Sequence, residues 1–149
     1  MAPPEFERYD PDIAAAISDT SLQGGLPAYL QVRTDEVGPG QMTCSLVVRD
    51  ELRNPFGTIH GGVLAALVDH VLGAVLYPVI PPGAWAATTE FKVNLTRPVR
   101  EGTLQATARI ATLGRRTAVV QVEVDNDGRL AGLAQGTVTV VPPRPDADG

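Results

Sequence analysis

The sequence predicts an α+β fold in which a curved antiparallel sheet of about six strands is wrapped around one long central helix. Apolar and polar residues alternate with a period of two in several segments, and such alternation is typical of half-buried strands. Short glycine-containing turns separate several of these segments, and short connections imply antiparallel pairing. One continuous apolar segment interrupts them, which indicates a buried helix.

Five strands are predicted over residues 42–49, 88–96, 103–113, 117–125 and 134–140, and a less regular sixth over 28–34. Within 88–96, the odd-numbered residues 89–95 would share one face. The central helix is predicted from Gly61 to about Tyr77, a length of about 25 Å at 1.5 Å per residue. Because it is apolar on almost every side, we expect it to be buried all round, and we expect Pro78 to end it.

Three regions are predicted along the chain: an N-terminal segment over 1–27, a domain over 28–141 and a mobile tail over 142–149. The N-terminal segment is expected to contain a short helix over 12–18, with Asp10 as its cap and Pro11 at its first position. A sheet with one face left open must be covered, most simply by a second copy of the chain.

Composition excludes several classes of function. The chain has 149 residues and a net charge of −5, which favours one domain and argues against a large nucleic-acid surface. No secretory signal is visible, and the stretch 61–80 is a poor membrane span because Asp69, His70 and Pro78 interrupt it. We therefore expect a cytoplasmic protein without membrane contact. The single Cys44 excludes an internal disulfide framework and a cysteine zinc cluster, and no metal or cofactor is expected.

The segment 54–70 carries the features that point to chemistry. The helix begins at Gly61-Gly62, where backbone N–H groups lack internal partners and a ligand oxygen can approach closely. The carboxylate of Asp69 lies in an otherwise apolar helix, so it must be paired, neutralised or facing a cleft. Asn54 precedes the helix in an Asn-Pro turn, a position that a simple turn residue also suits.

The spacing of Asn54, Gly57, His60-Gly61-Gly62 and Asp69 resembles that of the hotdog-fold thioesterases, and specifically the PaaI-like branch of the 4-hydroxybenzoyl-CoA thioesterase superfamily. The resemblance extends over residues 30–141. It implies an acyl-CoA thioesterase that releases a free carboxylic acid and CoA, works as a homodimer or homotetramer, and builds its sites between subunits.

The resemblance also implies residue roles. Asp69 would be the catalytic carboxylate, acting either as a general base or as a nucleophile. The backbone N–H of Gly61 would polarise the thioester carbonyl, and Asn54 would orient the water or the carbonyl. Thr88 would assist from the strand after the helix, with neighbouring Thr89 as the alternative. His60 would brace the loop, next to Gly62 at the helix start.

Arginines must offset the phosphates of CoA in an acidic protein, and all but one of the 12 basic residues are arginine. Arg115 and Arg116, in a turn between two predicted strands, are the first candidates. Arg97 and Arg100 are the second choice. A solvated hairpin end would have the same sequence.

Two alternative functions are open at this point. A hotdog dehydratase or hydratase acts on similar thioesters but needs a catalytic histidine, and neither His60 nor His70 lies in the usual dehydratase pattern. A non-catalytic acyl-CoA-binding protein of the same fold would bind CoA tightly without turnover.

Overall fold

A computed structural model describes residues 4–145 of the chain. In that part, three α-helices and six strands occur in the order α1 (Pro11–Ser18), α2 (Gly25–Tyr29), β1 (Arg33–Gly38), β2 (Gln41–Val47), α3 (Gly61–Ala74), β3 (Trp85–Leu95), β4 (Thr103–Leu113), β5 (Thr117–Asn126) and β6 (Arg129–Val141). Two short 3-10 turns cover Thr20–Leu22 and Asp50–Leu52.

The six strands form one antiparallel sheet in the order β1-β2-β4-β5-β6-β3. The sheet curves around α3, so the fold class predicted from the alternation is confirmed. The strand that follows the helix, β3, pairs with β6 alone and therefore lies at one edge of the sheet. Its outer edge pairs with no further strand among residues 4–145.

Helix α3 packs its large side chains against the sheet on one side only. The buried residues, none more than 2% exposed, are Leu64, Leu67, Val68, Val71 and Leu72. The expectation of burial all round is wrong for the single chain, because the other face carries small or polar residues that are exposed or half-buried: Gly62, Ala65, Ala66, Asp69 and Gly73. The helix also ends at Ala74 rather than near Tyr77, in keeping with the bias of Pro78 against a helical residue before it.

The predicted N-terminal helix is present as α1, with Pro11 at its first position. The carboxylate of Asp10 accepts hydrogen bonds from the backbone N–H groups of Asp12 at 3.0 Å and Ile13 at 3.1 Å. The backbone N–H of Asp10 donates to the carbonyl of Pro78 at 2.8 Å, which ties the start of α1 to the turn after α3.

Replacing Asp10 with alanine is expected to lower the free energy of unfolding by about 1 kcal/mol, because two N–H groups at the helix start lose their acceptor. Urea denaturation monitored by circular dichroism measures this loss. Asp10→Asn is the matched control, since asparagine caps helices equally well. Equal losses in both variants would show that the cap does not contribute.

The largest differences from the predicted strand starts are at β1 and β6, and several other boundaries differ by one to three residues. Of the predicted strand 28–34, only Arg33 and Thr34 belong to β1, because Gly25–Tyr29 forms α2 and Gln31, with φ of 55°, turns the chain before β1 begins. Strand β6 begins at Arg129, five residues earlier than predicted, since the run Ala131-Gly132-Leu133 lacks the alternation that marks a strand. Of the predicted tail, residues 142–145 contain no helix or strand, and 146–149 lie outside the described residues.

Strand β3 contains a bulge that changes which residues face the helix. Thr88 pairs with Val138 and Glu90 with Thr137, so Thr89 is the extra residue. Phe91 and Val93 pack against the core, whereas Thr89 points to the outer face and shares a hydrogen bond of 2.6 Å with Thr139. The prediction that residue 89 shares a face with 91–95 is therefore wrong.

No helix among residues 4–145 is both long enough and apolar enough to cross a bilayer.

Candidate active site

Asp69 opens into a large cavity. This cavity has a volume of about 910 Å³ and lies between α3, the N-terminal segment and β3. The side chain of Asp69 is exposed, and none of the ion pairs among residues 4–145 involves it. Its carboxylate is therefore free to act on a ligand. Of the three possibilities for a carboxylate in an apolar helix, the structure shows the one in which the carboxylate faces a cleft.

A second cavity of about 360 Å³ adjoins Asp69 on the side toward the helix start, where Gly62, Ala65 and Ala66 line it. Asp69 and His70 line both cavities. An open surface thus runs along the exposed face of α3, with the Asp69 carboxylate near its middle.

The start of α3 has one backbone donor left free. The imidazole of His60 caps the helix, since its Nδ1 accepts a hydrogen bond from the N–H of Gly62 at 2.8 Å. This bond places the proton of a neutral His60 on Nε2. Gly61 is the first helical residue, and no acceptor for its N–H lies among residues 4–145. That N–H can receive a ligand oxygen at the positive end of the helix dipole.

The side chain of Asn54 organises the loop before α3. Its Oδ1 accepts from the N–H of Phe56 at 2.9 Å and of Thr58 at 3.3 Å, and its Nδ2 donates to the Thr58 hydroxyl at 2.8 Å. One N–H of the amide stays available for a further partner. Asn54 lines neither of the cavities that contain Asp69.

Thr88 and Thr89 both line the large cavity but belong to opposite faces of β3. Thr88 pairs with the buried Val138, so its side chain faces the helix. Thr139 engages the hydroxyl of Thr89, so the hydroxyl of Thr88 is the more available of the two to a ligand in the cavity.

The predicted residues form two groups rather than one. Asn54, His60 and Gly61 lie at the start of α3, close to the Leu95 end of β3. Asp69 lies eight residues along the same helix, which corresponds to about 12 Å. One thioester carbonyl cannot contact both the Gly61 N–H and the Asp69 carboxylate of a single chain.

The two remaining predicted site residues, Arg115 and Arg116, are exposed in the turn between β4 and β5 and line neither cavity around Asp69. Thr117 pairs with Thr139, which in turn pairs with Ala87. Arg116, which precedes Thr117, is therefore two strands away from Ala87. At the usual strand spacing, the backbones of β5 and β3 are about 10 Å apart at this point.

Cys44 and His70 are poor candidates for catalysis. Burial raises the pKa of the Cys44 thiol to about 11, so the thiol is protonated and unreactive near neutral pH. Burial also lowers the pKa of His70, while the neighbouring Asp69 carboxylate opposes this shift. The Nδ1 of His60 accepts from the N–H of Gly62, so this nitrogen is not free to take a proton from a ligand.

The lowered pKa of His70 predicts a pH dependence of stability. A neutral His70 is favoured in the folded state, so its contribution is present above about pH 6.5 and is lost as the pH falls. We expect the free energy of unfolding of the wild type to decrease relative to that of His70→Asn between pH 7 and pH 5. Urea titrations at several pH values measure this difference, and a constant difference would contradict the assignment.

The walls of the large cavity include residues that sequence reasoning did not identify. Part of the wall comes from the N-terminal segment, through Ile17, Leu22 and Pro27, and part from Gly73 and Tyr77 after Asp69. No motif marks the N-terminal residues. The spacing of Asp69, Gly73 and Tyr77 along the chain is the one available signal, since residues four apart share a helix face.

Comparison with known proteins identifies the family of the chain. A sequence model described as the thioesterase superfamily matches residues 56–132 of the chain. The chain belongs to this superfamily. The hotdog resemblance carried by Asn54, His60-Gly61-Gly62 and Asp69 is thereby confirmed, and the protein is a thioester hydrolase.

Two curated relatives in the superfamily carry specific names. The 1,4-dihydroxy-2-naphthoyl-CoA hydrolase of Escherichia coli is 25% identical over 120 residues, which cover 80% of this chain and 88% of the relative. Human acyl-coenzyme A thioesterase 13 is 29% identical over 102 residues, which cover 68% and 72%. Among solved structures, the E. coli PaaI protein from the phenylacetic acid degradation operon has the same fold, with a TM-score of 0.79, 21% identity and coverage of 89% and 93%.

Proposed function

We propose that this thioesterase hydrolyses acyl-CoA, with Asp69 as the catalytic carboxylate and the Gly61 N–H as the oxyanion donor. The observation that carries the proposal is the unpaired carboxylate of Asp69 at a cavity large enough for an acyl group. The names of the two curated relatives support CoA as the thiol of the substrate.

The proposed site needs two chains. Because the Gly61 N–H and the Asp69 carboxylate are about 12 Å apart along one rigid helix, each site takes the donor from one chain and the carboxylate from another. In a two-fold dimer this exchange yields two equivalent sites. The free edge of β3 and the uncovered face of α3 are the surfaces that a second copy would cover.

The chemistry follows from the charges that develop. As water or the Asp69 carboxylate attacks the thioester carbon, the carbonyl oxygen becomes negative and the Gly61 N–H stabilises it. If water attacks, Asp69 takes its proton; if Asp69 attacks, an anhydride forms and water then cleaves it. The CoA thiolate leaves in either case. Thr88 and the free N–H of Asn54 are proposed to position the water and the carbonyl.

The phosphates of CoA are proposed to contact Arg115 and Arg116. Both side chains are exposed, and neither belongs to an ion pair among the described residues. The turn that carries both arginines lies at the end of the sheet where Ala87 is found. Ala87 belongs to the part of β3 that lines the Asp69 cavity.

Release of free CoA from a panel of short, medium, long and aromatic acyl-CoAs tests the proposal directly. Sedimentation of the same protein preparation tests the two-chain site. We expect turnover of at least one class and a dimer or larger assembly. Tight CoA binding without any turnover would favour the non-catalytic alternative, and an active 15.7 kDa monomer would overturn the shared site.

A further inference from the structure

One row of residues runs from Asp69 away from the helix start. Asp69 and Gly73 lie one turn apart on α3, Tyr77 follows four residues later, and all three line the 910 Å³ cavity. Residues 75–77 lie beyond the end of α3 but continue its path in turns, since the N–H groups of Leu76 and Tyr77 donate to the carbonyls of Gly73 and Ala74. At about 1.5 Å per residue, the row is about 12 Å long. The carboxylate of Asp69 is at one end of this row, and the ring of Tyr77 is at the other.

Gly73 leaves open space at the middle of the row. A Cβ added to this residue would meet no heavy atom within 4 Å, so neighbouring groups do not require a glycine here. Its φ angle does not require one either, since it is not among the positive values. A glycine inside a helix makes the helix less stable than an alanine would at the same position. Packing within the single chain does not explain this glycine, whereas a role in keeping the cavity open does.

The wall around this space is mostly apolar. Ile17, Met42, Ala74, Ala86 and Phe91 line it, and the hydroxyl of Tyr77 accepts a hydrogen bond of 3.3 Å from the backbone N–H of Ala86. That bond holds the tyrosine ring in place as the end wall. An apolar chain fits such a surface better than a polar one does, because polar groups there would lose hydrogen bonds to water.

We propose that this cavity is an acyl chamber in which the absent side chain of Gly73 determines the length of acyl group that is accepted. The proposal rests on the function proposed above. A row of about 12 Å corresponds to a straight chain of about eight to ten carbons at a bond length of about 1.5 Å. The chamber therefore selects unbranched medium-length acyl groups, and Gly73 is a specificity-determining residue.

Side chains introduced at Gly73 test the chamber. The measured quantity is the ratio of kcat/KM for decanoyl-CoA to kcat/KM for butyryl-CoA. Each methylene group of the acyl chain that the new side chain keeps out of apolar contact is expected to lower kcat/KM by about fourfold. We expect the ratio to fall by about fourfold in Gly73→Ala and by at least about 15-fold in Gly73→Leu. An unchanged ratio in both variants would overturn the proposal.

Gly38→Leu is the matched control. An added Cβ at Gly38 also meets no atom within 4 Å, and this residue lies in β1 away from both cavities around Asp69. The control should keep the wild-type ratio. If Gly73→Leu does not fold, as judged by its thermal unfolding, Gly73→Ala decides the outcome because its Cβ enters open space.

A separate binding measurement distinguishes failure of the chamber from failure of the proposed function. If the wild type cleaves neither thioester, the proposed function is wrong, and calorimetry with decanoate then tests the chamber. Decanoate binding that is weakened at least about tenfold in Gly73→Leu would support the chamber. Equal binding by the two proteins, or none by the wild type, would overturn it.

Discussion

Replacing Asp69 with asparagine is expected to lower kcat/KM for acyl-CoA hydrolysis by at least about 100-fold. Asparagine has nearly the same shape, but it neither accepts the proton of water nor attacks a thioester. The side chain is exposed in the single chain and has no ion-pair partner among residues 4–145, so the fold should not depend on its charge. Release of the CoA thiol measures the loss.

Two further measurements make the Asp69 result specific. Glu123→Gln removes an exposed carboxylate at the outer face of the sheet and should keep the wild-type rate. The Asp69 carboxylate raises the pKa of His70, so that pKa should fall further in Asp69→Asn, as NMR titration would detect. A folded Asp69→Asn protein with more than a tenth of the wild-type rate would refute the catalytic role.

Replacing Gly61 with proline is expected to lower kcat by about 100- to 1,000-fold, because proline removes the backbone N–H proposed to bind the oxyanion. Proline suits this position, since it is favoured as the first helical residue. The extended ψ of 131° at His60 also suits a residue that precedes proline. Steady-state kinetics on the substrate that the wild type prefers measures the loss.

Gly61→Ala separates the effect of the N–H from that of the added carbon atom. In both variants the new Cβ would lie 2.9 Å from Cδ1 of Leu95, the end of a flexible side chain that is 55% exposed and can move away. Only the proline variant lacks the donor. If the alanine and proline variants lose the same activity, crowding rather than the N–H explains the loss.

A mixture of the two inactive chains tests whether the site is shared. In a dimer of one Asp69→Asn chain and one Gly61→Pro chain, one site has both lesions and the other has neither. Random reassembly gives half mixed dimers, so about a quarter of wild-type activity should return. A mixture that stays inactive after reassembly would place each site within one chain.

The sequence was sufficient where local chemistry alone determines structure. Asp is a favoured N-cap residue and Pro a favoured first helical residue, and α1 begins with Asp10 and Pro11 in these positions. The strict alternation of residues 103–113 predicted a strand with the same first and last residues as β4 in the structure. The motif from Asn54 to Asp69 was recognisable because its residue types and spacing are specific as a set.

Features that depend on distant partners could not be predicted in the same way. The bulge at Thr89 appears only when β3 is paired with β6, since nothing in the segment Thr88-Thr89-Glu90 marks an extra residue. The one-sided burial of α3 depends on how far the sheet reaches around Ala66, Asp69 and Gly73. The cavity depends on where the N-terminal segment packs, and no pattern in residues 16–27 reports that position.

The bulge in β3 also reverses the parity of the strand. Before Thr89, the even-numbered Ala86 and Thr88 face the helix; after it, the odd-numbered Phe91 and Val93 do. Deleting Thr89 would remove the bulge and leave both halves of the strand in register, because Thr88 and Glu90 already oppose the consecutive residues Val138 and Thr137. The matching strand of a relative without the bulge therefore has to be aligned with a one-residue gap at Thr89, or every side chain on one side of that position is compared with one from the opposite face.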